Sequence, residues 1–176
     1  MRFSLALALA IAVTGALLQR APAVEANSQV SSDRFEARML DRLNTVRARR
    51  GLAPLRASPA LASAAHRHSL EMARNGFCGH DSANGGSFWQ RVSRFYGRGS
   101  GWRTWSVAEN VLCYPQKLTA TAAVSKWLAS PGHRANVLGP QWREVGVGAV
   151  YAESAPGEFS GADVLLVTAD FGVRGY

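Results

Sequence analysis

Apolar positions recur at helical spacing in several stretches of the chain and at strand spacing in three others. Between 33 and 50, Phe35, Met39, Leu43 and Val46 fall on one face. That spacing predicts an amphipathic helix capped by Ser32 or Asp33. Arg34, Arg38, Arg42 and Arg49 lie mostly on the other side and read as a wet face. Gly51 closes the helix, since glycine takes the left-handed cap without a Cβ penalty. Leu52-Ala53-Pro54-Leu55 is an extended link. Ser58-Pro59 then pairs a cap with proline in the first turn, a strong start for a helix to about Arg74. Leu61, Ala65, His68 and Met72 share its buried face, and Asn75-Gly76 stops it. His66 and His68 are two apart and diverge on a helix. His68 reads as a hydrogen-bonded core residue and His66 as exposed.

Ser87 opens a short helix with Phe88, Val92 and Phe95 inward. Trp102 and Trp105 pin the end of the glycine-rich loop 97–101 to the core. Residues 106–113 predict a strand. Thr119 or Thr121 caps a further helix that buries Ala123, Val124, Trp127 and Leu128. Ser130-Pro131-Gly132 ends that helix as a turn and aims His133. Residues 142–151 begin as a loop and become a strand. Its alternating Gly146 and Gly148 leave one face nearly bare, which lets a neighbouring element approach closely. Residues 153–161 form a hairpin loop, and 164–171 return as an apolar strand. Several helices and three antiparallel strands without βαβ alternation indicate an α+β layered domain. No internal repeat is present.

Composition changes this picture at the N-terminus. A basic Met1-Arg2 precedes an apolar run from 3 to 18, and Ala21-Pro22-Ala23 and Val24-Glu25-Ala26 offer small residues for cleavage. The pattern is that of a signal peptide over 1–26, too short for a membrane span. A flexible lead, 27–33, and a single domain, 34–173, would follow, giving a secreted or periplasmic monomer. No later run is apolar enough to cross a bilayer. The chain carries a formal charge of +8, or +7 from Asn27 onward, and all its basic residues but Lys117 and Lys126 are arginine. Such a surface outside the cytoplasm suits acidic glycans, lipid headgroups or cell-wall polymers. Nucleic acid fits poorly, because the basic residues are scattered and no nucleic-acid motif occurs. In an exported chain, Cys78 and Cys113 predict one disulfide.

Chemistry concentrates in His80, Glu109 and His133. Two imidazoles and a carboxylate suit zinc or another divalent metal, with a position left for water or substrate. Their spacings of 29 and 24 residues carry no metal signature. A hydrogen-bonded His-Glu-His cluster pinning loops to the sheet is the plainer reading. Ser69 and Ser130 lack the Gly-x-Ser-x-Gly context of a nucleophile.

The ordered motifs Leu43-Asn44-x-x-Arg47, Gly51-Leu52-x-Pro54-Leu55, Leu61-Ala62, Gly79-His80, Ala108-Glu109-Asn110, Trp127-x-x-Ser130-Pro131-Gly132-His133-Arg134-x-Asn136 and Gly146-Val147-Gly148 resemble the CAP superfamily. That superfamily groups cysteine-rich secretory, antigen 5 and pathogenesis-related 1 proteins, and the chain is similar to its compact bacterial branch. The resemblance covers about 34–172. It implies a three-layer α-β-α sandwich around a central antiparallel sheet. It also implies a cleft of two His and two Glu in animal and plant members. His80, Glu109 and His133 match three of these, whereas the second Glu would fall near Ser130, where no acid stands. The missing acid weakens chemistry that needs paired carboxylates. The resemblance therefore implies a binding module for a lipid, envelope polymer or protein partner. The alternatives are a peptidase-like metal-dependent hydrolase and a structural envelope protein.

Overall fold

The computed structural model describes residues 22–97, 101–115 and 117–175, with side chains from Ser32 onward. Residues 1–21, which hold most of the expected signal peptide, lie outside them. Helix α1 (Pro22–Ala48) takes in the whole of the expected lead 27–33. Between Pro22 and Ala48 no glycine or proline interrupts the i→i−4 ladder, so the packed helix propagates backward through this polar stretch. The chain turns at Gly51, whose φ is +68°. Strand β1 (Arg56–Ala57) and helix α2 (Pro59–Asn75) follow. Ser58 caps α2 and Gly76 ends it in the left-handed region. Helix α3 (Phe88–Ser93), strand β2 (Thr104–Tyr114), helices α4 (Ala120–Ala129) and α5 (Pro131–Val137), and strands β3 (Glu144–Ala152) and β4 (Val164–Gly175) complete the fold.

The sheet has the order β1-β3-β4-β2. The three long strands are antiparallel, and the short β1 adds to β3 in parallel, so the sheet is mixed rather than purely antiparallel. The parallel pair arises because the extended link after α1 runs alongside the start of β3. The fold is the expected α+β sandwich. Helix α2 covers one face of the sheet and α1 with α4 covers the other. Strand alternation decides what each helix meets. On one face Gly146 and Gly148 carry no side chain, and a Cβ at either would collide with the α2 backbone at Ala62 or His66. This close approach is what the bare strand face predicts. It also leaves His66 half-buried rather than exposed. On the other face Val145, Val147, Ala149, Val167, Ala169 and Phe171 pack with Met39, Leu43, Val124 and Trp127 into the largest apolar cluster.

Two expectations change in detail. Phe95 is 37 % exposed, and the next residue, Tyr96, takes the buried place. Helix α3 ends at Ser93, and the turn that follows swings Phe95 outward. Ser130-Pro131-Gly132 is not a free-standing turn. Ser130 ends α4 and begins α5, and Pro131 occupies the first turn of the new helix, where its fixed φ suits a helix start.

Candidate functional site

The site forms at the outer edge of β2, the last strand of the sheet. Its residues arrive from both faces because consecutive β2 residues point to opposite sides. Glu109 points to the α2 face, where its strand partner Asp170 pairs in turn with Gly146. Asn110 points to the α5 side. There its Nδ2 donates to the His133 carbonyl at 3.0 Å, and its Oδ1 accepts from Asn136 Nδ2 at 2.9 Å. Asn136 Nδ2 also donates to the Glu109 carbonyl at 3.1 Å. The asparagines of Ala-Glu-Asn and of the α5 motif therefore fasten α5 to the strand that carries Glu109.

His80 comes from the loop after α2. Its Nδ1 donates to Glu109 Oε1 at 2.9 Å. Helix α2 and strand β2 each anchor that loop. His68, fully buried on α2, bonds the Gly79 carbonyl through Nε2 at 2.8 Å, which is the core role expected of it. Cys78 and Cys113 form the expected disulfide, tying the loop to β2 four residues past Glu109. The His80 and His133 ring centroids lie 6.5 Å apart with their planes tilted, and Phe88 lies edge-on to His80 at 6.4 Å.

Two residues of the site were not anticipated. Arg91 on α3 is buried beneath the cleft. It forms an ion pair with Glu109 Oε2, and its Nη1 donates to the His80 carbonyl at 3.1 Å and to Ser82 Oγ at 3.0 Å. Asp170 on β4 is fully buried beside Glu109, and neither of its oxygens has a hydrogen-bond partner. The even helical spacing of α3 gave no hint of Arg91. Asp170 was hidden inside an apolar strand, although an acid in the middle of such a strand is itself a signal.

Electrostatics follow from this packing. Burial first, and then the Glu109 charge, raise Asp170 well above the usual carboxyl range. Of the two carboxyl groups, Asp170 is the one whose charged form is disfavoured, and Glu109 is the one that faces Arg91 and His80. The hydrogen bond to Glu109 raises His80 above its ordinary value, with burial opposing. Burial, and then the neighbouring His80, lower His133. The cleft thus holds one imidazole that protonates readily and one that resists.

The donor set bears on metal binding. Both Glu109 oxygens are engaged, one by His80 and one by Arg91. Among the described residues no group of three His, Cys, Asp or Glu side chains is arranged to hold a metal ion. Glu109 acts here as the partner that orients His80, and the imidazoles of His80 and His133 stand next to each other beside it. Ser69 is buried, bonded to the Gly148 carbonyl and to Thr168 Oγ1 at 2.9 Å each, with no base beside it.

Known proteins resemble this chain in sequence and in fold. The protein YkwD of Bacillus subtilis is 33 % identical over 129 residues, covering 73 % of this chain and 46 % of its own length. The membrane protein YlbC of the same species is 32 % identical over 113 residues, covering 64 % of this chain and 31 % of its own. The chain therefore spans less than half the length of the curated relatives it matches. A crystal structure of an extracellular protein containing a SCP domain from Bacillus anthracis superposes with a TM-score of 0.66 at 26 % identity, over 86 % of this chain and 44 % of that one. An outer surface protein of Borrelia burgdorferi shares the fold, with a TM-score of 0.58 at 17 % identity over 78 % of this chain and 90 % of its own. No helix among the described residues is long and apolar enough to cross a membrane. Residues 40–167 match the family described as "CAP: Cysteine-rich secretory protein family", and the chain belongs to it.

Proposed function

We propose that this chain is an exported binding module whose cleft, between His80 and His133, takes an acidic group of an envelope component. The observation that carries this reading is the full engagement of Glu109. A carboxylate ion-paired with a guanidinium on one oxygen, bonded to an imidazole on the other and only 4 % exposed is a poor general base for an incoming water. Its work is to hold His80 in one orientation and to favour its charged form. A cationic imidazole beside a neutral one offers donors to a phosphate or carboxylate. Export rests on the N-terminal sequence pattern and on the extracellular description of the Bacillus anthracis relative.

The test is a titration of the purified chain with fractionated envelope lipids and envelope polymers, followed by the two histidine ring signals in NMR. Binding that shifts both rings and is lost in His80→Ala and His133→Ala supports the reading. Ring signals that ignore every fraction would overturn it.

One observation favours a second reading. A carboxylate bonded to Nδ1 of an imidazole is the usual support of a metal-ligating histidine. His80 and His133 would then hold zinc or another divalent ion, with His80 oriented by Glu109. The ion would supply Lewis-acid activation of a water for hydrolysis. Metal content of the purified chain, and its thermal unfolding with zinc and with chelator, decide this. No bound metal and no response to either removes the hydrolase.

A further inference from the structure

On the sheet face opposite Glu109, α1 and the start of α4 enclose a second concavity. We propose that this groove binds a linear phosphodiester polymer along a ladder of three arginines. Arg34, Arg38 and Arg42 recur every fourth residue and all line the groove, whose volume is about 790 Å³. At helical rise their attachment points stand about 6 Å apart and span about 12 Å. None of the three has an ion-pair partner among the described residues. Asp41 is the acid that lines the same groove, so the lining retains a net positive charge.

The opposite wall suits the same ligand. Helix α4 begins there, with Thr119 as its cap, and its first turn carries no acidic residue. Its leading N–H groups have no intrahelical acceptors and carry partial positive charge. Three guanidinium forks on one wall and a helix start on the other form an elongated, multiply cationic trough. A single anion satisfies one rung of such a ladder. A chain with a phosphate at each repeat, at a spacing near that of the rungs, satisfies all three, and each guanidinium fork matches the oxygens of one phosphate. Phe35 is the aromatic residue in the lining, and one ring does not make the stacking platform that single-stranded nucleic acid uses.

The test uses fluorescence anisotropy on the purified chain with a labelled six-repeat poly(glycerol phosphate). Inorganic phosphate, hexathymidylate, and vesicles of phosphatidylcholine with phosphatidylglycerol serve as competitors. The polymer is expected to bind better than every competitor. Arg34→Gln/Arg38→Gln/Arg42→Gln should weaken it at least about tenfold and flatten the salt dependence by a slope of about 2. Arg56→Gln/Arg67→Gln/Arg74→Gln removes the same charge from exposed sites elsewhere and should change affinity by less than about threefold. Arg38 is exposed, so Arg38→Glu alone should repeat much of the loss without touching the core. The loss caused by the arginine variants should be the same size when it is measured in a His80→Ala background, which separates this groove from the proposed cleft. Equal losses in the two triple variants, a preference for hexathymidylate or vesicles, or no polymer binding would each overturn the proposal.

Discussion

Glu109 and Asn110 are neighbours in one strand, both almost completely buried, yet they belong to different proteins in a physical sense. Glu109 points to the α2 face, into a group of ionisable side chains: Arg91, His80 and Asp170. Asn110 points to the other side, where neutral amides fasten α5 and the apolar residues of α1, α4 and the sheet fill the space. Burial on the apolar side stabilises through area and packing density, about 25 cal/mol per Å² of apolar surface. Burial on the charged side stabilises only while every charge keeps its partner. The α2 face has apolar packing of its own, Leu61, Met72, Val111 and Leu166 among it, so the two faces differ in where the buried charges sit.

The largest test of this division is Trp127→Ala. Trp127 is fully buried and its Nε1 donates to the Val111 carbonyl at 3.2 Å. Its loss should cost about 5 kcal/mol in urea unfolding, while the His80 titration of the folded fraction stays where it was. Arg91→Met is the matching test on the charged face. It strands the Glu109 carboxylate and should cost about 4 kcal/mol. The double variant Arg91→Met/Glu109→Gln should recover much of that. If the double variant is no better than the single, the charges are not coupled as described. Slightly smaller is the disulfide. Cys78→Ser/Cys113→Ser opens a loop with a sequence separation of 35 and should cost about 3–4 kcal/mol on the chain-entropy argument. It should also broaden the His80 signal, because the loop loses one of its anchors.

The two faces were not equally legible in the sequence. The apolar face announces itself by period: Met39, Leu43, Val124 and Trp127 recur as a helix must, and Val164 to Phe171 as a strand must. Gly146 and Gly148 likewise declared a bare strand face, and α2 fills it. The charged face is assembled from single residues on five different elements, and no period connects them. His80, Glu109 and His133 were recoverable because they sit in recognisable motifs. Arg91 lies in a short helix with no motif. Asp170 sits in a strand whose apolar neighbours drew attention away from it. The parallel β1 is two residues long and carries no alternation to read. The extension of α1 back to Pro22 is invisible for a related reason: the polarity of that stretch suggests a lead, and nothing in it breaks a helix already formed downstream.

The apolar face also holds titratable groups. Glu36 on α1 accepts from the Ala149 N–H on β3 at 2.8 Å, and burial raises its carboxyl from 4.5 to about 7. In the folded state it holds its proton above the pH at which the unfolded chain releases it. Stability must therefore fall as pH rises from about 4.5 to about 7. Glu36→Gln should flatten that slope in urea unfolding series at pH 5 and pH 8. The two proteins should be nearly equal at the acid end, and the variant should be the more stable at the alkaline end. An unchanged slope would move the titration to another group.

The smallest effect is the most diagnostic of the cleft. His80 is raised by its bond to Glu109, so its contribution to stability is complete below 6.5 and is lost as pH rises through its higher folded value. Its side chain is 50 % exposed, and solvent screening keeps the energy small. The signature is clearer in NMR than in unfolding. His133 is lowered by burial and by His80, so the two rings titrate on opposite sides of the ordinary imidazole value. Between those two midpoints the cleft holds one charged ring and one neutral ring. Glu109→Gln removes the carboxylate that separates them. The His80 midpoint should then fall toward the ordinary value. His133 should rise, because it no longer faces a ring that protonates first. If the midpoints keep their separation in Glu109→Gln, Glu109 does not set the charge of the cleft, and the binding reading loses the feature that supports it.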